Sequence, residues 1–158
     1  MQDYYEPKVG DLAGNFRLPS TRGKDVTLRE YKGQDVILYF YPRDDTPGCT
    51  AEACSFRDHE GDLSKAHAVV LGVSTDSLAS HDKFLKKYNL NFPLLADTDG
   101  KVGRAYGVLG GDGLMAKLKS VAGMADRVTF VIGSDGRIAN VIEKPDVGHH
   151  AEEVINLL

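Results

Sequence analysis

Cysteine is scarce in this chain: two among 158 residues, Cys49 and Cys54. A basic excess is missing too. The formal net charge is −4, and Lys86-Lys87 is the only adjacent basic pair. Nothing there neutralises a row of phosphates, so nucleic acid is not an expected partner. No apolar run approaches the roughly 20 residues of a membrane span, so no membrane partner is expected either. The opening stretch, MQDYYEPKVGD, lacks the basic start and the apolar core of a signal peptide. The expected location is therefore the cytoplasm. In a reducing compartment, two thiols five positions apart do not make a permanent staple. They remain a redox pair, a metal site or two unrelated thiols.

What the chain does have is enough apolar content for a core. At 42% hydrophobic, 158 residues read as one domain, 1–158, that needs no metal or disulfide to hold it. Phe16 and Leu18 alternate with polar residues, TRGKD at 21–25 reads as a turn, and 26–28 as the returning strand of a small hairpin. The run DVILYFY at 35–41 is the strongest strand signal, apolar at nearly every position as for a strand covered on both faces. Pro42 ends it, and RDDTPG at 43–48 is expected to be loop.

A helical pattern starts at Thr50 and runs to about Asp58, with Glu52 suiting a first turn, and a second helical piece covers 59–66. Strands are expected at 69–74 and 92–96. Between them lies a helix through Tyr88, capped by Ser77 or Ser80, with Leu78, Phe84, Leu85 and Tyr88 on one face. A short helix at 102–106 precedes a segment with five glycines, 107–126, in which 114–121 has helical character. A hairpin follows, 127–132 and 137–142 about Ser134-Asp135-Gly136, and a closing helix spans 149–158. The order implies a three-layer α/β/α sandwich around a central mixed sheet, with the N-terminal β-hairpin beside it.

Cys49 stands where a buried strand has ended and a helix is about to begin. A helix N-terminus presents unpaired N–H groups and about half a positive charge, which favours a thiolate there. Full ionisation multiplies the reactive form by at most about thirty-fold over an ordinary thiol, so the site must also stabilise a transition state. Thr46, on a tight loop, can donate and accept; Pro42 can shield one side of the sulfur; Gly48 lets the backbone come close. Arg43 and Arg127 are the candidate cations. Arg127 is preferred because a strand holds a guanidinium more rigidly than a loop. On a regular helix, five residues put the Cys49 and Cys54 α-carbons roughly 8–9 Å apart, beyond the ~7 Å a disulfide spans. If the two sulfurs pair, at least one helical turn must open.

The pattern Pro42-x-x-x-Thr46-x-x-Cys49 resembles the peroxiredoxin active-site motif. YPRDDTPGCTAEACSFRD around it is similar to the bacterioferritin-comigratory-protein (Prx Q) subgroup, as are GVSTDS at 72–77, FPLLAD at 92–97, AYGV at 105–108 and RVTFVIGSDGRI at 127–138. The segments lie in the right order and cover most of the chain from about residue 10.

The resemblance implies a thioredoxin-like fold and a thiol peroxidase without cofactor or metal. Cys49 would attack the peroxide, Thr46 and Arg127 would hold the peroxide oxygens and the thiolate, and Pro42 would shield the sulfur. Glu52 would orient the arginine, and Cys54 would resolve the Cys49 sulfenic acid as a disulfide. Thioredoxin or glutaredoxin would reduce that disulfide, and an intramolecular pair makes a monomer the default. The segment 107–126 departs from the subgroup.

Plainer readings stand beside these. Cys54 alone could be a small buried hydrophobe. Arg127 could close a salt bridge, Thr46 could be a turn residue, and His149-His150 read as a surface pair at a helix start. Cys49, Cys54 and His59 are evenly spaced, but C-x4-C-x4-H is not a usual zinc spacing. A thioredoxin-type disulfide oxidoreductase would carry C-x-x-C rather than C-x4-C. A redox-sensing switch that uses the helix opening is compatible with the peroxidase.

Overall fold

A computed structural model of the protein describes residues 7–110 and 124–158. The helix expected at 114–121 lies outside the described residues. The chain begins with the hairpin β1 (Arg17–Pro19) and β2 (Asp25–Thr27), followed by a 3-10 turn, Leu28–Tyr31. Then come β3 (Asp35–Phe40), α1 (Pro47–Asp58), α2 (Glu60–Lys65), β4 (Ala68–Ser74), α3 (Leu78–Tyr88), β5 (Leu94–Ala96) and α4 (Lys101–Ala105). The chain closes with β6 (Val128–Ile132), β7 (Ile138–Ile142), a 3-10 turn at Val147–His149 and α5 (His150–Ile155).

β3 is central because it can be buried on both faces. The main sheet runs β5-β4-β3-β6-β7, with β3 parallel to β4, β4 parallel to β5, and β3 antiparallel to β6. Val36, Leu38 and Phe40 enter one core, shared with the hairpin and α4 through Leu18, Val26 and Val102. Ile37, Tyr39 and Tyr41 enter the other, shared with Ala53 and Phe56 of α1, Leu63 of α2, Phe84 of α3 and Val154 of α5. The unbroken apolar run at 35–41 is thus one strand read by two cores, each fully buried side chain worth roughly 1.5–3 kcal/mol. This is the mixed sheet with an N-terminal hairpin beside it that the order of elements implies.

Two expectations need correction, and one open choice is decided. α1 starts at Pro47, not Thr50, so Pro47 and Gly48 are helical. Proline fits a first helical position because its missing N–H would have no intrahelical acceptor anyway. Glu52 is therefore in the second turn, with no macrodipole reason to be there. The closing helix is also shorter than expected: a 3-10 turn precedes α5, which ends at Ile155. Of the two serines considered for α3, Ser77 is the cap, its Oγ accepting from the Ser80 N–H at 3.1 Å.

Candidate active site

The site forms where β3 runs out. Tyr41 still donates its N–H to the Val73 carbonyl, and the chain then turns through the loop 42–46 into α1. Asp45 takes φ +58, a left-handed conformation, to make that turn. Thr46 is the N-cap residue, Pro47 the first helical residue and Cys49 the third. The Cys49 N–H is thus among those a helix start leaves without an intrahelical acceptor. Cys49 is 1% exposed, Cys54 is half-buried, and both are free thiols on one unbroken helix.

Two anchors hold the loop against α3. Asp44 is buried: Oδ1 accepts from Tyr41 Oη at 2.6 Å, and Oδ2 accepts from Ser80 Oγ at 2.8 Å and faces His81 Nδ1 at 2.7 Å. His81, wholly buried, places Nε2 2.9 Å from the Leu95 carbonyl, which can only accept. The Asp44 N–H donates to Asp76 Oδ2, itself held by Ser74 Oγ. Asp45 is exposed and takes bonds from Lys87 Nζ and Tyr88 Oη, both at 2.7 Å. These two bonds hold its carboxyl below the usual carboxylate range.

Arg127 arrives by register. β6 is antiparallel to β3 with Val128 opposite Phe40, so the residue before Val128 lies beside the start of the loop. A Cβ on Gly48 would sit 3.0 Å from Arg127 Nη2, so the absence of a side chain there lets the guanidinium come in over α1. Burial alone would lower the Arg127 pKa. The negative charges and hydrogen bonds of Cys49 and Glu52 outweigh it, and the pKa is raised. Arg43, the other cation weighed, is exposed.

Beneath Arg127 lies Glu52, 0% exposed, with Oε1 accepting from Arg127 Nη1 at 3.0 Å. Burial pushes its carboxyl up to about 7, against the lowering effect of Arg127. Its other oxygen, Oε2, has no hydrogen-bond partner among the described residues. Tyr39 Oη shares that condition, and its pKa is pushed well up by burial first and then by the charges of Glu52, Cys49 and Asp44.

Of the residues singled out by sequence, Cys49, Arg127 and Glu52 converge. Pro42 and Thr46 are in the adjoining loop, where Thr46 Oγ1 donates to the Arg43 carbonyl at 3.1 Å. His59 turns Nδ1 back to the Ser55 carbonyl at 2.8 Å. His150 is not the surface residue expected: it is wholly buried, with Nδ1 3.0 Å from Glu153 Oε1 and Nε2 2.7 Å from Thr129 Oγ1. Its Nε2 is 3.7 Å from Glu52 Oε2. Sequence reasoning missed Thr129, Asp44, Asp76, His81 and the depth of His150. The one available signal for His150 was that Ala151 and Val154, at helical spacing, belong on a buried face.

The arrangement puts a sulfur at a helix start, a guanidinium against it and a hydroxyl in the same loop, which suits attack on a small polarisable bond. The AhpC/TSA family model matches residues 9–141. A Coxiella burnetii protein named as a bcp peroxiredoxin is 47% identical, covering 96% of this chain and 98% of its own. Peroxiredoxin Bcp of Escherichia coli strain K12 is 41% identical, covering 96% and 95%. Among solved structures, a cysteine-to-serine mutant of Xylella fastidiosa PrxQ superimposes with a TM-score of 0.86 at 34% identity, over 96% of this chain and 95% of that one. The chain belongs to the AhpC/TSA family and, within it, to the Bcp/peroxiredoxin Q group.

Proposed function

We propose that the chain is a thiol-dependent peroxidase that reduces hydrogen peroxide and organic hydroperoxides through Cys49. The observation that carries this is the buried Cys49 in the first turn of α1 with the Arg127 guanidinium held against it by Glu52. The Cys49 thiolate attacks one peroxide oxygen; an S–O bond forms, the O–O bond breaks, and the leaving oxygen takes up a proton as water or an alcohol. Arg127 donates to the developing negative charge. Thr46 spends its hydroxyl proton on the Arg43 carbonyl, so its lone pairs are left to accept from the peroxide O–H. Pro42, with no N–H, keeps water from one side of the sulfur.

Cys54 then attacks the Cys49 sulfenic acid, releasing water and forming a disulfide. α1 has to open for this, because five residues of intact helix keep the α-carbons roughly 8–9 Å apart. A dithiol donor, thioredoxin or glutaredoxin, returns both thiols. The protein acts as a single-domain cytoplasmic monomer, since resolution needs no second chain.

Peroxide consumption with each donor system tests the reading. Cys49→Ser abolishes it, whereas Cys54→Ser completes one turnover and stops; full activity in Cys49→Ser would sink the assignment. Oxidation also raises amide exchange across 46–58, and unchanged protection there in a verified Cys49–Cys54 disulfide would contradict the opening of α1.

A further inference from the structure

Glu52 and His150 meet at the floor of the site from different elements, and their hydrogen bonds leave a question of one proton. Glu153 Oε1 is a carboxylate oxygen and accepts, so His150 Nδ1 carries the hydrogen between them. That leaves Nε2 as a lone pair, which accepts from the Thr129 hydroxyl. Glu52 Oε2 faces this same Nε2 at 3.7 Å, inside the protein and without a hydrogen-bond partner among the described residues. If Glu52 is ionised and His150 neutral, Oε2 faces a nitrogen whose lone pair already takes the Thr129 hydroxyl, and neither partner has a proton to offer the other in a site that water does not screen. A single proton on either partner turns the confrontation into attraction.

We propose that His150 is a positioning residue for Arg127: it shares one proton with Glu52, and the place of that proton sets the charge that Arg127 carries to Cys49 and the peroxide. With the proton on Glu52, the guanidinium charge is left for the thiolate and the leaving oxygen. With the proton on His150, Glu52 is a full carboxylate and draws the guanidinium towards itself. α5 is fastened for this duty by a bond from the Ala151 N–H to Ser55 Oγ on α1, and by the packing of the His150 ring on Phe56.

Among the described residues, the groups that face the pair are these. Arg127 stands at the head of β6, Thr129 lies within β6, Tyr39 comes from β3, and Cys49 precedes Glu52 on α1. Glu153 lies on α5, and Asp146 on the loop before it. Burial lowers the His150 pKa and raises that of Glu52, so each is poised to give way to the other. Being about the same site, the proposal rests on the peroxidase reading, but its first test is independent of activity.

That test follows the His150 ring nitrogens and the Glu52 carboxyl carbon by NMR from pH 5 to 8.5 in the reduced protein. Coupled groups show an inflection at each other's midpoint. Replacing Glu52 by Gln removes the carboxylate, so His150 should then protonate at a pH lower by about one unit, a tenfold loss of proton affinity. The second test is the rate of Cys49 oxidation by hydrogen peroxide across the same range. Wild type shows an inflection near pH 7 that Glu52→Gln loses and His150→Asn displaces. Independent single-step titrations in wild type would overturn the proposal without any variant having to fold. So would a His150 midpoint unchanged in Glu52→Gln, or a His150→Asn rate profile that superimposes on wild type. If no variant and no wild type consumes peroxide, the peroxidase reading fails, while the titrations still decide the proton coupling.

Discussion

Two buried histidines underlie the two halves of the site, and they are kept in opposite ways. His81, beneath the loop 42–46, has both ring nitrogens engaged, and its partner Asp44 has both oxygens engaged, by Tyr41, Ser80 and the ring itself. His150, beneath α1, faces a carboxylate with one oxygen satisfied by Arg127 and one without a hydrogen-bond partner among the described residues. The first network is closed. It holds the loop that presents Pro42 and Thr46. The second is open, and a proton has somewhere to go. A scaffold is built from satisfied groups; a site whose charge can be adjusted keeps one unsatisfied.

The largest break in this comparison is Asp44→Ala. It removes the shared acceptor of Tyr41 Oη, Ser80 Oγ and His81 Nδ1, leaving the buried Tyr41 and His81 groups only each other at 3.4 Å, and a buried polar group that loses its partner costs about 1–3 kcal/mol. The denaturant midpoint should fall accordingly, and turnover with it as the loop loosens.

Next comes Glu52→Gln, read as stability against pH. The Glu52 carboxyl lies near 4.5 in the unfolded chain and about 7 in the folded one. The folded state therefore holds the extra proton, and this contribution, full below pH 4.5, is lost as pH rises to about 7. The loss is on the order of 3 kcal/mol between those two pH values. His150 runs the other way: its pKa is lowered on folding, so its contribution is lost as pH falls through the unfolded value of 6.5. Because both forms keep His150, Glu52→Gln should gain on wild type as pH rises from 5 to 8 in urea titrations.

Thr129→Val is smaller. It removes the donor to His150 Nε2 and leaves a buried acceptor, at a cost of about 1–3 kcal/mol. It also sharpens the contrast, because Glu52 then has no rival for Nε2, and any inflection of the rate profile should shift from its wild-type position. Smallest is Asp45→Asn. Its bonds to Lys87 and Tyr88 are at the surface, so the melting temperature should not move beyond the scatter of wild type.

Much of the frame was legible in the sequence because it repeats at short range. The run 35–41, the Ser134-Asp135-Gly136 turn and the residues from Pro42 to Cys54 each declare themselves within a few positions. The start of α1 was misread because proline and glycine look like breakers when the position within the turn is unknown, although Pro47 is well placed for a first residue. The two histidine networks were not legible. Asp44 and His81 are 37 positions apart, and Thr129 and His150 are 21 apart, with nothing local to pair them. His150 looked exposed because a His-His pair at a short helix start is usually solvated. Its burial comes from α5 docking on α1, a tertiary fact.

The most direct measurement of the central claim is the intact mass of the reduced protein after one equivalent of hydrogen peroxide. Wild type should lose two hydrogens, Cys54→Ser should gain one oxygen, and Cys49→Ser should do neither. A Cys49→Ser protein that is oxidised as fast as wild type, or a wild type that keeps both thiols, would contradict the account.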